Sequence, residues 1–302
     1  MPTISVIMPA YNVEKYVGKA IESILKQTFE DFEFIIIDDA STDKTYDIIC
    51  TYHDRRIILV RNQIRLGVAA CINKGLSIAR SEFIARMDSD DISKPERFKK
   101  QLDFMRANSN LGISGSHMEI IDEKGNLRKE HHKKIGDEEI KISLFFGHTS
   151  LAHPSIIIRK TILDMYHLRY DTAFRYAEDY DLYCRCSSFI VLDNYPECLV
   201  QYRIHSNSIS QKYKQEQLID AQTALYLHLR RLGLPFTLEE FKIHTQFTFP
   251  NESLKYLPIE KICNWIDYLY TWNEKNKIYN RESFEKNCVR YKNFFLQGDD
   301  TK

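Results

Sequence analysis

The chain has 302 residues, of which 43% are hydrophobic, so it is long enough and apolar enough to bury a large core. Its 42 basic and 42 acidic residues cancel, and bulk charge therefore gives no reason to expect a nucleic-acid partner. The seven cysteines form no CxxC pair, which is typical of free thiols in a reducing cytoplasm. The N-terminus lacks a signal-peptide pattern, and no segment approaches the roughly 20 apolar residues of a membrane span. We therefore expect a soluble, cytoplasmic protein.

The first 91 residues alternate strand and helix patterns. Short apolar runs predict four strands, over residues 4–8, 32–37, 57–60 and 83–87. Apolar residues at helical spacing predict three helices between them, over residues 13–28, 43–53 and 67–80. Because units of strand, helix and strand form right-handed crossovers, we predict an α/β fold with a mostly parallel sheet.

The elements after residue 91 are less regular. A Ser93-Lys94-Pro95-Glu96 capping box predicts a helix that runs to residue 107. Later patterns predict a hairpin over 111–126, helices over 137–146, from 161 and over 177–188, and strands over 155–159 and 198–204. From residue 211 helical patterns dominate, and Thr237 with Glu240 forms a second capping box. We therefore divide the chain into an α/β domain over 1–210 and a helical appendage over 211–302.

Asp88-Ser89-Asp90-Asp91 is the most informative stretch, because it sets three carboxylates directly after a predicted strand. At about 4 Å, each like-charge contact costs roughly 1 kcal/mol in water and about 4 kcal/mol in a partly desolvated cleft. A divalent cation would reverse that cost, and hard oxygen ligands suit Mg²⁺ or Mn²⁺. The alternative is an acidic turn that caps the next helix.

Polar clusters also follow the first and second predicted strands. They are Pro9-Ala10-Tyr11-Asn12 and Asp38-Asp39. Because ligands bind beyond the carboxyl ends of the strands in such sheets, we expect these clusters and the acidic stretch at one edge.

A nucleotide bound at that edge would need an aromatic face, an acceptor for the N–H of its base, and cation ligands for its diphosphate. Tyr11 could supply the first and Asp39 the second, while Asp88 and Asp90 could hold the cation. Asn12 could instead be a helix N-cap, and the Asp38-Asp39 pair could be a solvated turn.

Glu178-Asp179 is a second acidic pair, at the start of a predicted helix. The helix dipole favours carboxylates there, so a capping role is one interpretation. The other is a general base, because a carboxylate in a water-poor cleft has a raised pKa. His205 follows a predicted strand and could complete a metal site begun by two aspartates, while His153 could contact phosphate or acceptor.

Taken in order, these motifs resemble the family 2 inverting glycosyltransferases of the GT-A fold, over residues 4 to about 210. Residues 5–12 resemble the family's opening strand and nucleotide loop, and residues 36–43 its second signature, whose second aspartate meets the uracil. Residues 86–91 resemble the metal-binding DxD motif, and residues 178–181 the ED motif, whose aspartate acts as base. Residues 202–210 are typical of bacterial surface-polysaccharide members.

The resemblance implies roles for particular residues. Asp179 would be the catalytic base, and Asp90 with His205 would bind Mn²⁺ or Mg²⁺. The residues implied in nucleotide binding are Pro9, Ala10, Tyr11, Asn12, Asp39, Asn62, Asp88 and Ser89. The residues implied in contacts with acceptor or phosphate are His153, Glu178 and Arg203.

The resemblance also implies an activity and its partners. A sugar would pass with inversion from a nucleoside-diphosphate sugar, by default UDP-linked, to a hydroxyl of a saccharide or lipid-linked saccharide, in capsule, O-antigen or exopolysaccharide synthesis. Residues 1–91 would be the nucleotide-binding half, and residues 92–210 the acceptor and catalytic half. Aromatic residues of the appendage could bury against the main domain, or could face the inner side of a membrane as a peripheral anchor.

Two other classes of function remain open at the level of sequence. A nucleotidyltransferase would be expected to carry a glycine-rich, basic phosphate loop after its first strand, which residues 9–13 do not resemble. A non-catalytic sensor or scaffold would bind a nucleotide sugar without transferring it. Turnover discriminates this second class from an enzyme.

Overall fold

The computed structural model describes residues 1–206, 208–248 and 258–297. Its N-terminal part contains the four predicted strands, β1 (Ile4–Ala10), β2 (Phe32–Asp38), β3 (Ile57–Arg61) and β4 (Phe83–Arg86). The predicted helices between them are α1 (Val17–Leu25), α2 (Thr45–Cys50) and α3 (Val68–Ile78). Each strand begins at the predicted residue, whereas each helix is shorter than predicted at both ends. Residues 13–16, for example, form a turn that leads into α1.

The four strands lie side by side in the order β3-β2-β1-β4, and all pairs among them are parallel. Alternate residues of β2 enter two different cores, Phe34 and Ile36 on one face and Ile35 and Ile37 on the other. A strand buried on both faces favours a continuous apolar run, and residues 34–37 provide the run from which β2 was predicted. The carboxyl ends of the strands lie at one edge, as expected.

The second part extends this sheet and mixes strand directions. Its strands are β5 (Ile92–Ser93), β6 (Leu111–Ile121), β7 (Leu127–His131), β8 (Ile157–Arg159) and β9 (Val191–Arg203). Its helices are α4 (Arg97–Ala107), α5 (Asp137–Phe145), α6 (Lys160–Met165) and α7 (Glu178–Cys186). Strand β8 lies antiparallel between β4 and β6, while β9 runs parallel to β6 and antiparallel to β5. Strand β7 forms the predicted hairpin with β6.

The capping box predicted at Ser93 is not formed. Ser93 lies in β5, where its backbone N–H donates to Ser23 Oγ (3.0 Å) and its Oγ accepts from Gln27 Nε2 (3.1 Å). Helix α4 begins only at Arg97, and Glu96 at its N-cap makes no side-chain capping bond. The prediction was wrong because pairing of residues 92–93 with the distant β9 overrides a local capping pattern.

The C-terminal helices are α8 (Ile209–Lys212), α9 (Lys214–Arg231), α10 (Leu238–Thr245), α11 (Ile259–Asn276) and α12 (Arg281–Gln297). The capping box of Thr237 and Glu240 is formed as predicted. None of the helices in the described ranges is both long and apolar enough to cross a bilayer.

These helices share one hydrophobic core with the sheet. Phe145 of α5 stacks on Trp272 of α11 (ring centroids 5.8 Å apart) and packs edge-on against Phe284 of α12 (5.3 Å). Trp272 is 6% exposed, whereas Tyr268 and Phe294 are 38% and 48% exposed. Some aromatic residues of the C-terminal helices are therefore buried against the α/β part of the chain, and others are exposed. The domain boundary at residue 210 stays a prediction.

Candidate active site

The acidic residues predicted to hold a cation meet at the turn after β4. Ligand atoms of Asp88, Asp90 and Asp91 all lie within 4.8 Å of one another. Burial raises the pKa of Asp88, although its ion pair with Arg86 opposes the shift. Burial, and then the charges of Asp90 and Asp88, raise the pKa of Asp91 well above its ordinary value. Asp91 Oδ2 is buried without a hydrogen-bond partner in the described part of the chain, so the turn has oxygen atoms to spare for a cation.

The end of β9 supports this turn. Because Ile92 pairs with Gln201 in the sheet, the residues just before β5 face those at the end of β9. His205 Nε2 lies 2.9 Å from Asp90 Oδ2, which brings together the two predicted metal ligands. The ring of Tyr16 packs against the His205 ring, with centroids 4.6 Å apart.

Arg203 was predicted to contact acceptor or phosphate, whereas the structure places it behind the acidic turn. Its backbone N–H donates to Asp91 Oδ1 (2.8 Å), and its Nε donates to the carbonyl oxygen of Asp90 (2.7 Å). Its Nη1 donates to the carbonyl oxygens of Asp122 and Glu123 (3.1 and 3.2 Å). Arg203 is only 2% exposed, and these bonds hold the turn in place.

The second predicted acidic pair lines the same cavity as Asp88 and Asp90, which has a volume of about 1040 Å³. Glu178 is the first residue of α7, and Asp179 Oδ1 accepts from the backbone N–H of Tyr180 (2.7 Å). Burial, and then the charge of Asp179, raise the pKa of Glu178 to about 8. Burial also raises the pKa of Asp179. The pair therefore retains a proton at neutral pH that two solvated carboxylates would lose.

His153 lies beside this pair, in a short turn before β8. Its Nδ1 is 4.0 Å from Glu178 Oε1, and its Nε2 is 3.0 Å from the hydroxyl oxygen of Tyr170. Burial lowers the pKa of His153 well below its ordinary value, so the ring is neutral. The residue lines the same cavity as Asp88 and Asp179.

Basic residues of the cavity wall were missed at the level of sequence. Lys133, Arg175 and Lys214 all line the cavity that contains Asp179. Burial lowers the pKa of Lys133, and the charge of Asp179 opposes that shift. Lys133 belongs to a charged run, His131-His132-Lys133-Lys134, which resembles a solvated loop. Arg175 lies only four residues before Asp179, but nothing in the local pattern indicated that it would line the cavity, and Lys214 lies on a helix that no motif linked to the site.

The predicted nucleotide residues lie at the same edge of the sheet. Pro9 and Ala10 end β1, and the guanidinium of Arg65 lies 4.1 Å from the centroid of the Tyr11 ring. Asn62 lines a second cavity of about 520 Å³, next to the ends of β2 and β3. Ser89 is buried within the acidic turn. Asn207, part of the resemblance after β9, lies outside the described residues.

Asp39 fastens the loop that follows β3. Its carboxylate accepts from the backbone N–H groups of Leu66 and Gly67 and from Asn62 Nδ2, each at 2.8 Å. Gly67 has a φ of 91°, a left-handed conformation that glycine adopts most readily. Burial alone would raise the pKa of Asp39, but these hydrogen bonds lower it. The carboxylate is therefore ionised and set in a fixed orientation.

Asn12 joins the first two loops and is not a helix N-cap. Its Oδ1 accepts from the backbone N–H of Thr42 (2.8 Å), and its own N–H donates to Ser41 Oγ (3.2 Å). Its φ of 51° is left-handed, and α1 starts five residues later, at Val17. The loops after β1 and β2 are thus held together.

A sheet of this order, with an acidic turn at its carboxyl edge, is the architecture of the GT-A glycosyltransferases. The structure superposes on Staphylococcus aureus TarS in complex with UDP-GlcNAc with a TM-score of 0.67 at 18% identity, over 98% of this chain and 92% of that one. The predicted fold class is therefore confirmed.

The sequence comparison assigns the family. The model for glycosyl transferase family 2 matches residues 5–166, more than half of the chain, and the chain belongs to that family. It is 36% identical over 218 residues to the Escherichia coli O-antigen biosynthesis glycosyltransferase WbnJ, covering 68% of this chain and 81% of the relative. It is 29% identical over 219 residues to the Escherichia coli UDP-Glc:alpha-D-GlcNAc-diphosphoundecaprenol beta-1,3-glucosyltransferase WfgD, covering 70% and 81%.

Proposed function

We propose that this glycosyltransferase uses a divalent cation and moves a sugar, with inversion, from a UDP-sugar to an acceptor hydroxyl in surface-polysaccharide synthesis. The observation that carries the proposal is the shared cavity, which is lined both by Asp88 and Asp90 and by Glu178 and Asp179. The proposed cation ligand Asp90 and the proposed base Asp179 would thus share one space of about 1040 Å³, large enough for a sugar and its acceptor.

The residues around the acidic turn fit a divalent cation. Asp90 and His205 are the proposed ligands, and their Oδ2 and Nε2 atoms already lie 2.9 Å apart. The unpartnered Oδ2 of Asp91 and the carboxylate of Asp88 offer further oxygen atoms nearby. When bound there, a divalent cation would supply electrostatic stabilisation of the negative charge on a diphosphate leaving group.

Asp179 is the proposed general base. The acceptor hydroxyl would transfer its proton to Asp179 as its oxygen forms a bond to the anomeric carbon, and the bond from that carbon to the diphosphate oxygen would break. The raised pKa of Asp179 makes it a stronger base than a solvated aspartate. A proton shared by the pair lowers the repulsion between Glu178 and Asp179 and leaves one carboxylate of the pair able to accept the proton of the acceptor.

The nucleotide is proposed to lie on the loops after β1, β2 and β3. TarS was crystallised with UDP-GlcNAc, and WfgD is named for a UDP-glucose donor, which favours uridine for this chain as well. Tyr11 provides an aromatic ring at that edge, and the ionised carboxylate of Asp39 provides an acceptor. Pro9, Ala10, Asn12, Asn62, Asp88 and Ser89 complete the proposed nucleotide contacts.

A saccharide or lipid-linked saccharide is the proposed acceptor. WbnJ is named for O-antigen biosynthesis and WfgD for a sugar on a diphosphate-linked lipid, which supports an acceptor of that class. Lys133, Arg175 and Lys214 give the cavity positive charge that suits a phosphate-bearing acceptor. His153 and Glu178 are the proposed neighbours of the reacting hydroxyl.

We propose that the enzyme binds such a lipid-linked acceptor from the cytoplasm, at the inner face of a membrane. Helix α12 exposes Val289, Phe294 and Leu296, with Lys286 and Arg290 nearby in sequence, a mixture that suits an anionic lipid surface. Removing the helices is an unsuitable test because they share the core. Instead, the double variant Phe294→Asp, Leu296→Asp should float with anionic liposomes less than the native protein does. Equal flotation of the variant and the native protein would contradict a role of α12 as a membrane anchor.

The first experiment is calorimetry of UDP binding with and without Mn²⁺, on the native protein and on Asp90→Ala. We expect binding that requires Mn²⁺ and is lost in the variant, while Asp103→Ala, which changes an exposed carboxylate on α4, binds as the native protein does. Failure of UDP and of every other nucleoside diphosphate to bind would contradict the proposal. Product analysis by NMR then tests inversion, since an α-linked donor should give a β-linked product.

A further inference from the structure

The loop that precedes the proposed base is held by α9 and the residue just before it. Asp220 Oδ2 accepts from the backbone N–H groups of Arg175 (2.8 Å) and Tyr176 (2.9 Å). Gln217 Nε2 donates to the carbonyl oxygen of Tyr176 (3.1 Å). The ring of Tyr213 stacks on that of Tyr176, with centroids 4.7 Å apart and an angle of 14° between the planes. The backbone and the ring of Tyr176 are thus both contacted by one helical segment.

The spacing of these groups suits a single helix face. Gln217 and Asp220 are three residues apart, which places them one above the other on α9, and Tyr213 lies four residues before Gln217, at the N-cap of the helix. The same helix closes the cavity, since Lys214 and Gln217 line it together with Asp179. The held loop leads directly into α7, and Asp179 follows Tyr176 by only three residues.

We infer that Asp220, aided by Gln217 and Tyr213, is a positioning residue for the transfer reaction. It fixes the backbone N–H groups of residues 175 and 176, and that backbone leads into α7 and sets where Asp179 projects into the cavity. Asp220 acts through the loop and takes no proton itself. The inference rests on the proposed role of Asp179 as base. It gives α9 a role in catalysis, because this helix holds the loop that precedes Asp179.

The size of the effect follows from the geometry of catalysis. A displacement of a reacting group by about 1 Å can lower a rate roughly 100-fold without changing how the substrate binds. Because Asp220 contacts the loop and not the nucleotide-binding edge, its loss should lower kcat and leave the KM for the donor unchanged. An asparagine at this position keeps an oxygen that can accept the same two N–H groups, so charge is not required.

The test compares Asp220→Ala, Asp220→Asn and Glu216→Gln by the release of UDP from UDP-glucose or UDP-GlcNAc with Mn²⁺. We expect Asp220→Ala to lower kcat about 10- to 100-fold with a donor KM within about two-fold of the native value. Asp220→Asn should restore kcat to within about three-fold, and Glu216→Gln, which changes an exposed carboxylate on the same helix, should match the native protein. The acid limb of the kcat–pH profile should stay at the same pH in Asp220→Ala.

Asp179→Asn separates the failure of this inference from the failure of the proposed function. If that variant keeps native turnover, Asp179 is not the base and the proposed function is wrong in that respect. If it loses turnover while folded Asp220→Ala keeps the native kcat, only the positioning role is overturned. Hydrogen exchange gives a direct readout, because the amides of Arg175 and Tyr176 should exchange faster in Asp220→Ala than in the native protein.

Tyr213 provides a second pair of variants if Asp220→Ala does not fold. Tyr213→Phe keeps the ring that stacks on Tyr176 and should have native kcat, whereas Tyr213→Ala should lower kcat at an unchanged donor KM. Equal kcat in both variants would overturn the inference.

Discussion

The N-terminal part of the sheet and the C-terminal helices contribute to the site in different ways. In residues 1–91, polar loops follow directly on buried strands, and the fold alone gathers them at one edge. The described residues of 208–248 and 258–297 form helices without a comparable polar motif, yet α9 lines the cavity and contacts the loop before Asp179. Local sequence motifs therefore indicate which residues of the first region reach the site. In the second region, the residues that reach the site are determined by packing between distant segments.

The largest expected effect tests whether the two regions fold as one. Trp272→Ala should lower the free energy of unfolding by about 3–5 kcal/mol, because the ring is buried in the core shared with α5. Denaturant unfolding followed by near-UV circular dichroism and by UDP binding should give coincident transitions. Val289→Ala, at an exposed position of α12, should leave stability almost unchanged. A separate, earlier transition of the helices would show that the two regions are independent.

The next effect is a pH dependence that arises in the C-terminal helices. His244 Nε2 lies 2.8 Å from the carbonyl oxygen of Phe145, and its Nδ1 accepts from Trp265 Nε1 (3.2 Å). Burial lowers its pKa from 6.5 to about 4, so between these values the unfolded chain takes up a proton that the folded chain does not. Stability should therefore fall by on the order of 3 kcal/mol as pH drops through that window.

His244→Gln isolates this contribution from that of other titrating groups, because an amide can make both hydrogen bonds without gaining a proton. The difference in the free energy of unfolding between native protein and variant should narrow as pH falls from 6.5 to 4. A constant difference would contradict the prediction.

A smaller effect is expected in the N-terminal region, at Asp39. Three N–H groups donate to the carboxylate of Asp39, and Asp39→Asn replaces one of its two acceptor oxygens by an NH₂ group. The variant should therefore lose about 1–3 kcal/mol in the free energy of unfolding. It should also weaken UDP binding, because the loop that follows β3 loses its anchor. Thermal melting and calorimetry measure the two effects, with Asp47→Asn on α2 as the exposed control. Native binding by Asp39→Asn would remove Asp39 from the nucleotide site.

The smallest effect concerns local structure in the C-terminal helices. Thr237→Ala removes the cap of α10 and should cost about 1 kcal/mol in a urea titration. Thr223→Ala, at an exposed position within α9, should be neutral or slightly stabilising, because alanine has the higher helix propensity. If Thr237→Ala and Thr223→Ala changed the free energy of unfolding by the same amount and in the same direction, the capping box would make no contribution to stability.

Local signals explain which parts of the molecule were predictable. The start of every strand in residues 1–91 could be predicted because each is an apolar run after polar residues. The Thr237 capping box could be predicted because all its contacts lie within four residues. Ser93 carries the same pattern, but its partners are Ser23 and Gln27, which the sequence does not reveal.

Parts of the site depend on contacts that no local pattern encodes. Arg203 was predicted to contact acceptor or phosphate because of its place in a motif, whereas the structure shows it buried, with Nε and Nη1 donating to carbonyl oxygens of residues 90, 122 and 123. Lys133 could not be distinguished from a solvated residue of a charged loop. Asp220 is one of two carboxylates on α9, and its role depends on Arg175 and Tyr176 in a loop more than 40 residues earlier.

The contact between α9 and the loop before α7 also bears on how such enzymes diverge and can be recombined. The family match covers residues 5–166, so both sides of this contact lie beyond it. A chimaera that takes its C-terminal helices from another family member would separate residues 175–177 from residues 213–220 unless both are exchanged together. Because Asp220 accepts from backbone N–H groups, the contact would survive most substitutions at residues 175 and 176 but would need an acceptor at position 220 of the new helix.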